Sequence, residues 1–443
     1  MQVVRGLILT DFSMFGLRPV LMSVLEEQGF GTPTPIQARA IPMIMQGNDL
    51  LGLAQTGTGK TLAFGLPVMH ALLGAGRPAP KTTQALILAP TRELVNQIAE
   101  TLNGFARKTP LKVQRVVGGA GLGPQIQKLA KGCDILVATP GRLLDLLDRR
   151  ALTLDATHML VLDEADQMLD LGFIHALRRI ASLLPKRRQT LMFSATMSKQ
   201  MNEIADAYLE RPERIQVSPT GRPADKIDQA VHFVPQGDKA RLLEGYLKDH
   251  PEDLALVFSR TKHGAEKLMK LLTGWGIAAG SIHGNKSQGQ RERTLQSFRD
   301  GKIKVLVATD VAARGIDIPD MRHVYNFELP EVPENYIHRI GRTARAGASG
   351  RAIAFCAPAE MGDLRAIERL MKRDLAVVGG TPWSDDLAGP ARAAARKRGP
   401  ARGGPRPARA GEGDARKPRA KSYGSKRHGS GKPGGKERAR QTA

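Results

Sequence analysis

Residues 50–61 read LLGLAQTGTGKT, and this stretch decides the fold. Its first four residues are apolar enough for a buried strand, and a helix-like pattern begins at Lys60. The loop between them follows the phosphate-binding pattern GxxxxGK[ST], except that Ala54 stands where Gly is usual. Because Gly57 and Gly59 let backbone N–H groups turn toward phosphate oxygens, this order of strand, loop and helix predicts a nucleoside triphosphate site.

The side chains of this loop have separate predicted roles. Lys60 would reach the β and γ phosphates, and the Thr61 hydroxyl would ligate Mg²⁺. The alternative is a Gly-rich turn that happens to precede Lys-Thr. The predicted nucleotide-binding residues of the loop are Ala54, Gln55, Thr56, Gly57, Thr58, Gly59, Lys60 and Thr61.

A triphosphate site also needs an acidic strand end. Residues 159–162 read MLVL, and DEAD follows at 163–166. Asp163 would hold Mg²⁺ at the carboxyl end of that strand, and Glu164 would orient or deprotonate the attacking water. The alternative is an acidic helix N-terminus, because carboxylates favour the positive end of the helix dipole. With a phosphate loop in the same chain, we favour nucleotide chemistry.

The remaining pattern predicts the α/β class. Strand-like apolar runs lie at 84–89, 112–117, 134–138, 158–162, 190–193, 254–258, 304–308, 323–327 and 352–356. Helix-like segments between them include 93–106, 167–184, 263–272 and 288–298. Such alternation is typical of parallel sheets covered by helices.

The alternation stops at residues 218–223, which read SPTGRP and are rich in breakers. A chain of 443 residues is also too long for one core. The sequence therefore predicts two domains, a linker and a tail. They span 1–217 for the ATP-binding domain, 218–227 for the linker, 228–376 for the second domain and 377–443 for the tail.

The formal charge of +23 indicates a polyanionic partner, with nucleic acid favoured over an acidic membrane. Residues 389–443 hold 17 Lys or Arg and 3 Asp or Glu, so they carry +14 of this charge. With almost no large apolar residue, this basic C-terminal tail is predicted to be disordered. We interpret it as an RNA anchor, and a solubilising or docking tail is the alternative.

Membrane insertion and disulfide chemistry are not expected. No apolar stretch reaches the ~18 residues that a spanning helix needs, and the apolar run at 3–9 is too short. Cys133 and Cys356 lie far apart in the sequence, which favours a reducing compartment. A cytoplasmic protein without a membrane partner is the prediction.

The tetrapeptide at 163–166 resembles the one that names the DEAD-box ATP-dependent RNA helicases. The resemblance extends over about residues 12–357, with the motifs in family order, and the run HGNKSQG at 283–289 is most similar to the bacterial RhlE-type subgroup. It implies two tandem RecA-like parallel-sheet domains joined by a short linker. It also implies ATP and Mg²⁺ as cofactors, RNA as partner, and ATP hydrolysis coupled to local duplex unwinding.

Two motifs of the first domain resemble those that recognise adenine and relay the nucleotide state. In GFGTPTPIQ at 29–37, Gln37 would hydrogen-bond adenine and the upstream Phe12 would stack on it. The alternatives are a polar residue at a helix start and an ordinary core Phe. Ser194 and Thr196 would bond through their hydroxyls to Asp166, and helix capping is the alternative.

Loops after predicted strands resemble the RNA-gripping motifs of the family. Ligands bind at the carboxyl ends of strands in open α/β sheets. The alternatives are ordinary turn chemistry and, for Arg291, a solvated helix face. The RNA-binding residues implied by the resemblance are Pro90, Thr91, Arg92, Gly118, Gly119, Thr139, Pro140, Gly141, Arg142, Arg260, Arg291, Thr309 and Arg314.

The second domain resembles the half of the family that completes the catalytic site. In YIHRIGRTAR at 336–345, Arg342 and Arg345 would act as arginine fingers, or alternatively form a basic surface for RNA. His338 and Arg339 would join the network of the acidic motif. Asp317 would contact the ATP ribose.

Three functions remain open at this point. The first is an RNA-stimulated ATPase that unwinds short duplexes and remodels ribonucleoproteins. The second is an ATP-gated RNA clamp or scaffold with incidental strand separation. The third is a DNA-directed motor or a non-motor switch. Ribosome assembly and RNA degradation are the expected settings, with ribosome-assembly or degradosome proteins as possible partners.

Overall fold

A computed structural model of the chain describes residues 11–54, 57–217, 227–313, 321–343 and 350–384. It contains two seven-stranded sheets, in which the recorded strand pairs are all parallel. The predicted α/β class is therefore confirmed.

The first sheet has the strand order β3-β4-β2-β5-β6-β1-β7. Its strands are β1 Leu50–Leu53, β2 Thr83–Leu88, β3 Val113–Val116, β4 Cys133–Ala138, β5 Met159–Leu162, β6 Gln189–Ser194 and β7 Glu213–Gln216. The phosphate loop follows β1 and the acidic tetrapeptide follows β5, so both lie at the same edge of this sheet.

The second sheet has the strand order β10-β11-β9-β12-β13-β8-β14. Its strands are β8 Ile227–Phe233, β9 Leu254–Phe258, β10 Ala279–Ile282, β11 Val305–Ala308, β12 Met321–Asn326, β13 Gly350–Cys356 and β14 Ala376–Gly379. In each sheet the carboxyl ends of the central strands lie along one edge, and the loops that follow these strands are the usual place for ligand binding.

Helices cover both sheets. In the first half they are α1 Pro19–Glu27, α2 Pro35–Met45, α3 Lys60–Leu72, α4 Arg92–Ala106, α5 Leu122–Leu129, α6 Pro140–Asp148, α7 Ala165–Asp170, α8 Ile174–Leu183 and α9 Lys199–Tyr208. In the second half they are α10 Lys239–Asp249, α11 Lys262–Gly274, α12 Gln288–Arg299, α13 Asp310–Ala313, α14 Pro333–Ile340 and α15 Met361–Met371.

Each sheet separates two apolar clusters, because its central strands are buried on both faces. Around β2, Ile87 belongs to one cluster while Leu86 and Leu88 belong to the other. In the second sheet Leu256 and Val257 divide in the same way. Aliphatic side chains dominate these clusters, in keeping with 4% aromatic residues in the chain. Burial of these continuous apolar strands on both faces therefore positions the strand ends from which the binding loops emerge.

The structure differs from the predicted elements in two ways. The helix predicted over 167–184 is broken at Gly172, whose φ of 78° ends α7 before α8 begins. The edge strands β7, β10 and β14 and the inner strand β8 were missed. Two of them have few buried residues, since Ile215 alone is buried in β7 and none is buried in β14. A pattern search for buried strands does not detect such segments.

The ends of the predicted domains fall partly outside the described residues. Residues 218–226 of the predicted linker and 385–443 of the predicted tail lie there. The predicted boundary at residue 376 falls inside β14, which pairs with β8, so the second sheet continues to Gly379. Among the helices of the described ranges, none is long and apolar enough to cross a membrane.

Candidate nucleotide and nucleic-acid site

The phosphate loop adopts the backbone shape that its glycines allow. Gly57 and Gly59 have φ values of 79° and 89°, and Gly59 is the residue from which α3 starts. Lys60 is buried, and its Nζ donates to the carbonyl of Ala54 at 3.2 Å. Its Nζ also lies 3.6 Å from Oδ1 of Asp163. The loop thus places a cation and the N-terminus of a 13-residue helix at one point, which suits a phosphate group.

The two carboxylates after β5 are almost fully buried. Asp163 is 2% exposed and Glu164 is 4% exposed. Burial raises the pKa of both groups, while the charge of Lys60 acts in the opposite direction on each. Glu164 has a left-handed φ of 52°, and within the described part of the chain its Oε2 has no hydrogen-bond partner. Buried carboxylate oxygens are ligands that suit Mg²⁺ and its water.

Gln37 occupies the start of α2 and contacts the phosphate loop. Its Oε1 accepts from the backbone N–H of Thr34 at 2.8 Å, and its Nε2 donates to the carbonyl of Gly59 at 3.0 Å. The first bond belongs to a capping box, which was the alternative role that the sequence suggested. A primary amide has a further N–H and a further lone pair, so these bonds leave it able to bind a base. The adenine role stays a prediction.

Phe12 lies in the core instead of facing a cleft. Its side chain is 1% exposed and packs edge-on against Phe15 with ring centroids 5.8 Å apart. Both rings belong to the short 3-10 helix Phe12–Phe15. Stacking on adenine would require this helix to move, because neither face of the Phe12 ring is open to solvent.

Asp166 accepts hydrogen bonds from the residues after β6, as the resemblance implied, but the predicted bond from Ser194 is not among them. Its Oδ2 accepts from the backbone N–H groups of Ala195 and Thr196 at 3.1 and 2.9 Å, and from the Thr196 hydroxyl at 3.0 Å. Ser194 behaves differently, because its hydroxyl donates to the carbonyl of Thr196 at 2.6 Å. Thr196 therefore bonds to the acidic motif, and Ser194 shapes the turn that carries it.

Helix α14 of the second sheet approaches this acidic motif. Nε2 of His338 lies 3.8 Å from Oδ2 of Asp166. Arg342 is 3% exposed, its Nε donates to the carbonyl of His338 at 3.1 Å, and its charge lowers the pKa of Glu164 against the effect of burial. Two groups from the second half of the chain thus act on the acidic motif of the first half, His338 near Asp166 and Arg342 on Glu164.

Arg339 does not join that network, so its predicted contact with the acidic motif is not present in this structure. Its guanidinium forms two bonds with Asp310, at 2.5 and 2.8 Å, and donates to Oδ1 of Asn326 at 3.0 Å. It also lies 4.9 Å from the centre of the Phe258 ring. A fully buried guanidinium needs such partners, and here they all come from the second half of the chain.

A cleft of about 500 Å³ collects most of the predicted RNA-binding residues. Its lining combines loops that follow β2, β3 and β4 with loops that follow β10 and β11. The predicted residues that line it are Pro90, Thr91, Arg92, Gly118, Thr139, Gly141, Arg142 and Arg291. Three arginines around an open groove suit a phosphate backbone.

Two polar contacts cross this cleft. Nη1 of Arg92 donates to Oε1 of Gln288 at 3.1 Å. Arg291 pairs with Glu93 at 2.8 Å, and the two side chains are 13% and 8% exposed. In this structure the pair therefore joins the two lobes, which are the halves of the chain that contain the first and the second sheet, at the cleft. Glu93 and Gln288 were missed as site residues, although both lie beside predicted ones.

The other predicted RNA contacts have structural roles in this structure. Gly119 has a φ of 73°, and a Cβ there would lie 2.2 Å from Nη1 of Arg92. Pro140 is the first residue of α6. Arg260 is paired with Glu360 at 2.7 Å and with Asp363 at 3.4 Å, and it does not line the cleft. The carbonyl of Thr309 accepts from the N–H groups of Ala312 and Ala313.

Several predicted site residues lie outside the described residues. They are Gln55 and Thr56 of the phosphate loop, the predicted RNA contact Arg314, the predicted ribose contact Asp317, and the second proposed finger, Arg345. Their roles stay predictions.

A phosphate loop and acidic strand end on one parallel sheet, faced by a basic helix from a second parallel sheet, are the features of a two-lobed P-loop nucleoside triphosphatase. Comparison with known proteins agrees. The family model described as DEAD/DEAH box helicase matches residues 34–204, and the model described as helicase conserved C-terminal domain matches residues 238–347.

Curated relatives and solved structures identify the same class. The ATP-dependent RNA helicase CshA of Listeria monocytogenes is 43% identical over 389 residues, which are 88% of this chain and 74% of the relative. The DEAD-box ATP-dependent RNA helicase CshA of Bacillus subtilis is 43% identical over 364 residues, covering 82% and 73%. The structure titled S. cerevisiae Dbp5 bound to RNA and ADP BeF3 has a TM-score of 0.75 and 31% identity, covering 84% of this chain and 96% of that one.

The chain therefore belongs to the DEAD-box family of ATP-dependent RNA helicases. The tandem RecA-like fold that the sequence implied is confirmed by the match to both lobes of a family structure. The RhlE-type subgroup stays a prediction, because the relatives described above carry another name.

Proposed function

We propose that this helicase hydrolyses ATP when RNA draws its two lobes together, and that closure locally opens short RNA duplexes and remodels ribonucleoproteins. The observation that carries the proposal is the approach of His338 and Arg342 to the acidic motif of the other lobe. Because the charge that develops on the transferred phosphoryl group needs cationic partners, an arginine from the second lobe makes hydrolysis depend on closure.

The first lobe supplies nucleotide binding. In this proposal Lys60 and the N-terminus of α3 hold the phosphates, and Gln37 reads the adenine edge. Thr61 and Asp163 would hold Mg²⁺, which when bound neutralises phosphate charge. In this proposal Glu164 accepts a proton or a hydrogen bond from the attacking water. The role is supported by its Oε2, which has no hydrogen-bond partner among the residues that the structure describes.

The second lobe supplies the groups that complete the site. Arg342 already acts on Glu164 electrostatically, and Arg345 would be the second finger from the same motif. Support for the RNA side comes from the cleft, since Arg92 and Arg142 of one lobe and Arg291 of the other line it together. An RNA strand in this cleft would contact both lobes and so favour the closed arrangement.

The cellular setting that we propose is the cytoplasm, with a role in ribosome assembly or RNA degradation. A cytoplasmic location is consistent with two buried free cysteines, whose pKa values are raised to about 12 by burial, which makes them poorly reactive. Ribosome assembly or RNA degradation, with proteins of those systems as partners, would suit a sequence-independent RNA remodeller. Sequencing of RNAs crosslinked to the protein in cells tests this assignment. Crosslinks that lie mainly on RNAs other than ribosomal precursors and decaying mRNA would reject it.

Lys60→Ala and Glu164→Gln test the chemistry. Lys60→Ala should lose ATP binding, because a buried cation at the phosphate loop disappears. Glu164→Gln should lower RNA-stimulated turnover by roughly 10²-fold or more while ATP still tightens RNA binding. Turnover that is unchanged in Lys60→Ala would refute the assignment of the loop.

The same variants separate the helicase from the RNA clamp and from a DNA-directed motor. If unwinding is the main task, wild-type protein should displace a strand from a short duplex in every ATP-dependent binding event. Unwinding far slower than ATP-dependent RNA retention, which Glu164→Gln isolates, would favour the clamp. Equal stimulation of ATPase activity by RNA and by single-stranded DNA would count against an RNA enzyme.

A further inference from the structure

Two neighbouring strands of the second sheet bring together segments that have separate proposed roles. β9 and β12 pair in parallel, with Phe258 opposite Asn326 at their carboxyl ends. Residues 259–260 follow β9 and residues 327–329 follow β12. The backbone N–H of Glu328 then donates to the carbonyl of Phe258 at 3.2 Å, which continues the contact past the strands.

The Glu328 side chain contacts the segment that carries Arg260. Its Oε2 accepts from the Ser259 hydroxyl at 2.8 Å and from the backbone N–H of Arg260 at 2.7 Å. The next residue, Leu329, accepts from Nε of Arg260 through its carbonyl at 2.7 Å. Both the backbone and the guanidinium of Arg260 are thus fixed by residues 328–329.

The Glu328 backbone contacts α14, the helix that precedes the proposed arginine finger. Its carbonyl accepts from Nη1 of Arg339 at 2.6 Å. Arg339 is 1% exposed and belongs to α14, whose neighbouring residue His338 faces Asp166 of the other lobe. Arg342 follows one turn later and is bonded to the carbonyl of His338. A shift of Glu328 would therefore move the groups that complete the nucleotide site.

One residue consequently lies between the two proposed ligand sites of the second lobe. Charge-assisted bonds to a carboxylate and to a guanidinium are the stronger hydrogen bonds of proteins, so both contacts of Glu328 resist stretching. A residue that contacts two sites can couple ligand binding at one site to ligand binding at the other, provided that each ligand favours the same one of its alternative positions. Glu328 belongs to none of the motifs that the sequence singled out.

We propose that Glu328 is a positioning residue that couples RNA binding at Arg260 to ATP hydrolysis at Arg342. This rests on the proposed function, because it assumes that Arg342, which follows α14, is the finger. It also assumes that RNA extends beyond the cleft to Arg260, the RNA contact that the sequence predicts there. The residue contacts neither ligand. Its effect is to make the position of Arg260 and the position of α14 depend on each other.

The two oxygens of Glu328 allow a sharp pair of variants in the full-length chain. Both recorded bonds of its side chain reach Oε2, so Glu328→Gln can keep them with its amide oxygen, whereas Glu328→Ala removes the acceptor. The measurement is the factor by which a non-hydrolysable ATP analogue tightens binding to a single-stranded RNA. RNA stimulation of ATPase activity is measured alongside, and Glu252→Ala is the control because its side chain is 88% exposed.

The expected result is a coupling factor reduced about 5- to 20-fold in Glu328→Ala, with Glu328→Gln and Glu252→Ala close to wild type. The affinity for the ATP analogue without RNA should change less than about threefold, because the phosphate loop lies on the other lobe. Should Glu328→Ala fail to fold, Ser259→Ala removes one of the two donors and is expected to lower the coupling factor in the same direction.

Wild-type coupling in a folded Glu328→Ala or Ser259→Ala variant would overturn the proposal, as would equal losses in the Ala and Gln variants. The second result would show a charge effect without positioning. If wild-type protein itself shows no coupling between RNA and the ATP analogue, the proposed function fails first, and the two failures are thereby distinguished.

Discussion

At the scale of single residues, the position of α14 in the second lobe depends on the buried side chain of Arg339. Arg339 is 1% exposed, and its bonds reach Asp310, Asn326 and the carbonyl of Glu328. These partners come from the segment after β11, from the last residue of β12 and from the segment that follows it, and together they fix α14 against the carboxyl edge of the sheet. The bidentate geometry with Asp310 is specific to a guanidinium, so lysine cannot reproduce it.

Arg339→Lys should therefore lower RNA-stimulated ATP turnover by about 10- to 100-fold, because Arg342 and His338 would be misplaced by a fraction of a helix turn. The KM for ATP should stay within about threefold of wild type, since the phosphate loop is on the other lobe. Steady-state kinetics measure both values. The exposed Arg299→Lys is the matched control, and an equal rise of KM in Arg339→Lys would argue against a role confined to the finger.

The sequence was sufficient for the placement of residues that belong to local patterns. Lys60 of the phosphate loop and Asp163 of the acidic strand end were predicted to share a site, and Nζ of Lys60 lies 3.6 Å from Oδ1 of Asp163. The catalytic roles of Lys60 and Glu164 stay predictions. Ser194 and Arg339 were placed with the wrong partners. Their partners are selected by the packing of distant strands, and nothing in the adjacent sequence specifies that choice.

At the scale of elements, α11 fixes a loop of the cleft. Glu266 on α11 accepts from the Ser281 hydroxyl at 2.7 Å and pairs with His283 at 3.1 Å and with Lys286 at 2.9 Å. The bonds from Lys286, Ser281 and His283 lower the pKa of Glu266 to about 2. Residues 283–286 are thereby tied to α11, and Lys286 lines the cleft.

This bonding predicts a pH-dependent contribution to stability. A carboxylate whose pKa is lowered by folding stabilises the native state above its unfolded pKa, here about 4.5, and this stability is lost as the pH falls toward 2. Glu266→Gln should lower the free energy of unfolding by about 1 kcal/mol at pH 7.5, after allowance for solvent screening. Urea unfolding at pH 7.5, 5 and 3 should show the difference from wild type shrinking below pH 5. A difference independent of pH would contradict this account, and Glu252→Gln serves as the exposed control.

The elements themselves were predictable where they are buried on both faces. β2, β4, β5 and β9 were located within a residue or two, because four or five consecutive apolar residues leave little alternative to a central strand. The strand β7 was not, since it has the sequence ERIQ and exists because β1 pairs with it. Pairing at a sheet edge stabilises segments that the apolar pattern alone does not reveal.

At the scale of the whole molecule, the basic charge divides between the lobes and the last part of the chain. Residues 389–443 account for +14 of the +23, so the rest of the chain has a net charge of +9. Clustered Lys and Arg bind nucleic acid by releasing counterions from phosphates, and such binding weakens steeply with salt.

Deleting residues 389–443 should weaken RNA binding and flatten its dependence on salt, while basal ATPase activity remains. A plot of the logarithm of RNA affinity against the logarithm of salt concentration should lose about 0.7 in slope for each phosphate contact removed from single-stranded RNA. An unchanged slope would show that this segment does not anchor RNA, and a docking role for it would then be favoured.

The central claim is that ATP hydrolysis requires groups from both lobes, as the approach of His338 and Arg342 to the acidic motif indicates. Its most direct test compares ATP turnover by residues 1–217 alone with turnover by the full chain, each with and without RNA, after circular dichroism has shown that the fragment is folded. We expect the full chain with RNA to be at least about 10³-fold faster than the fragment, and RNA to have no effect on the fragment. A folded fragment that matches the RNA-stimulated rate of the full chain would contradict the account.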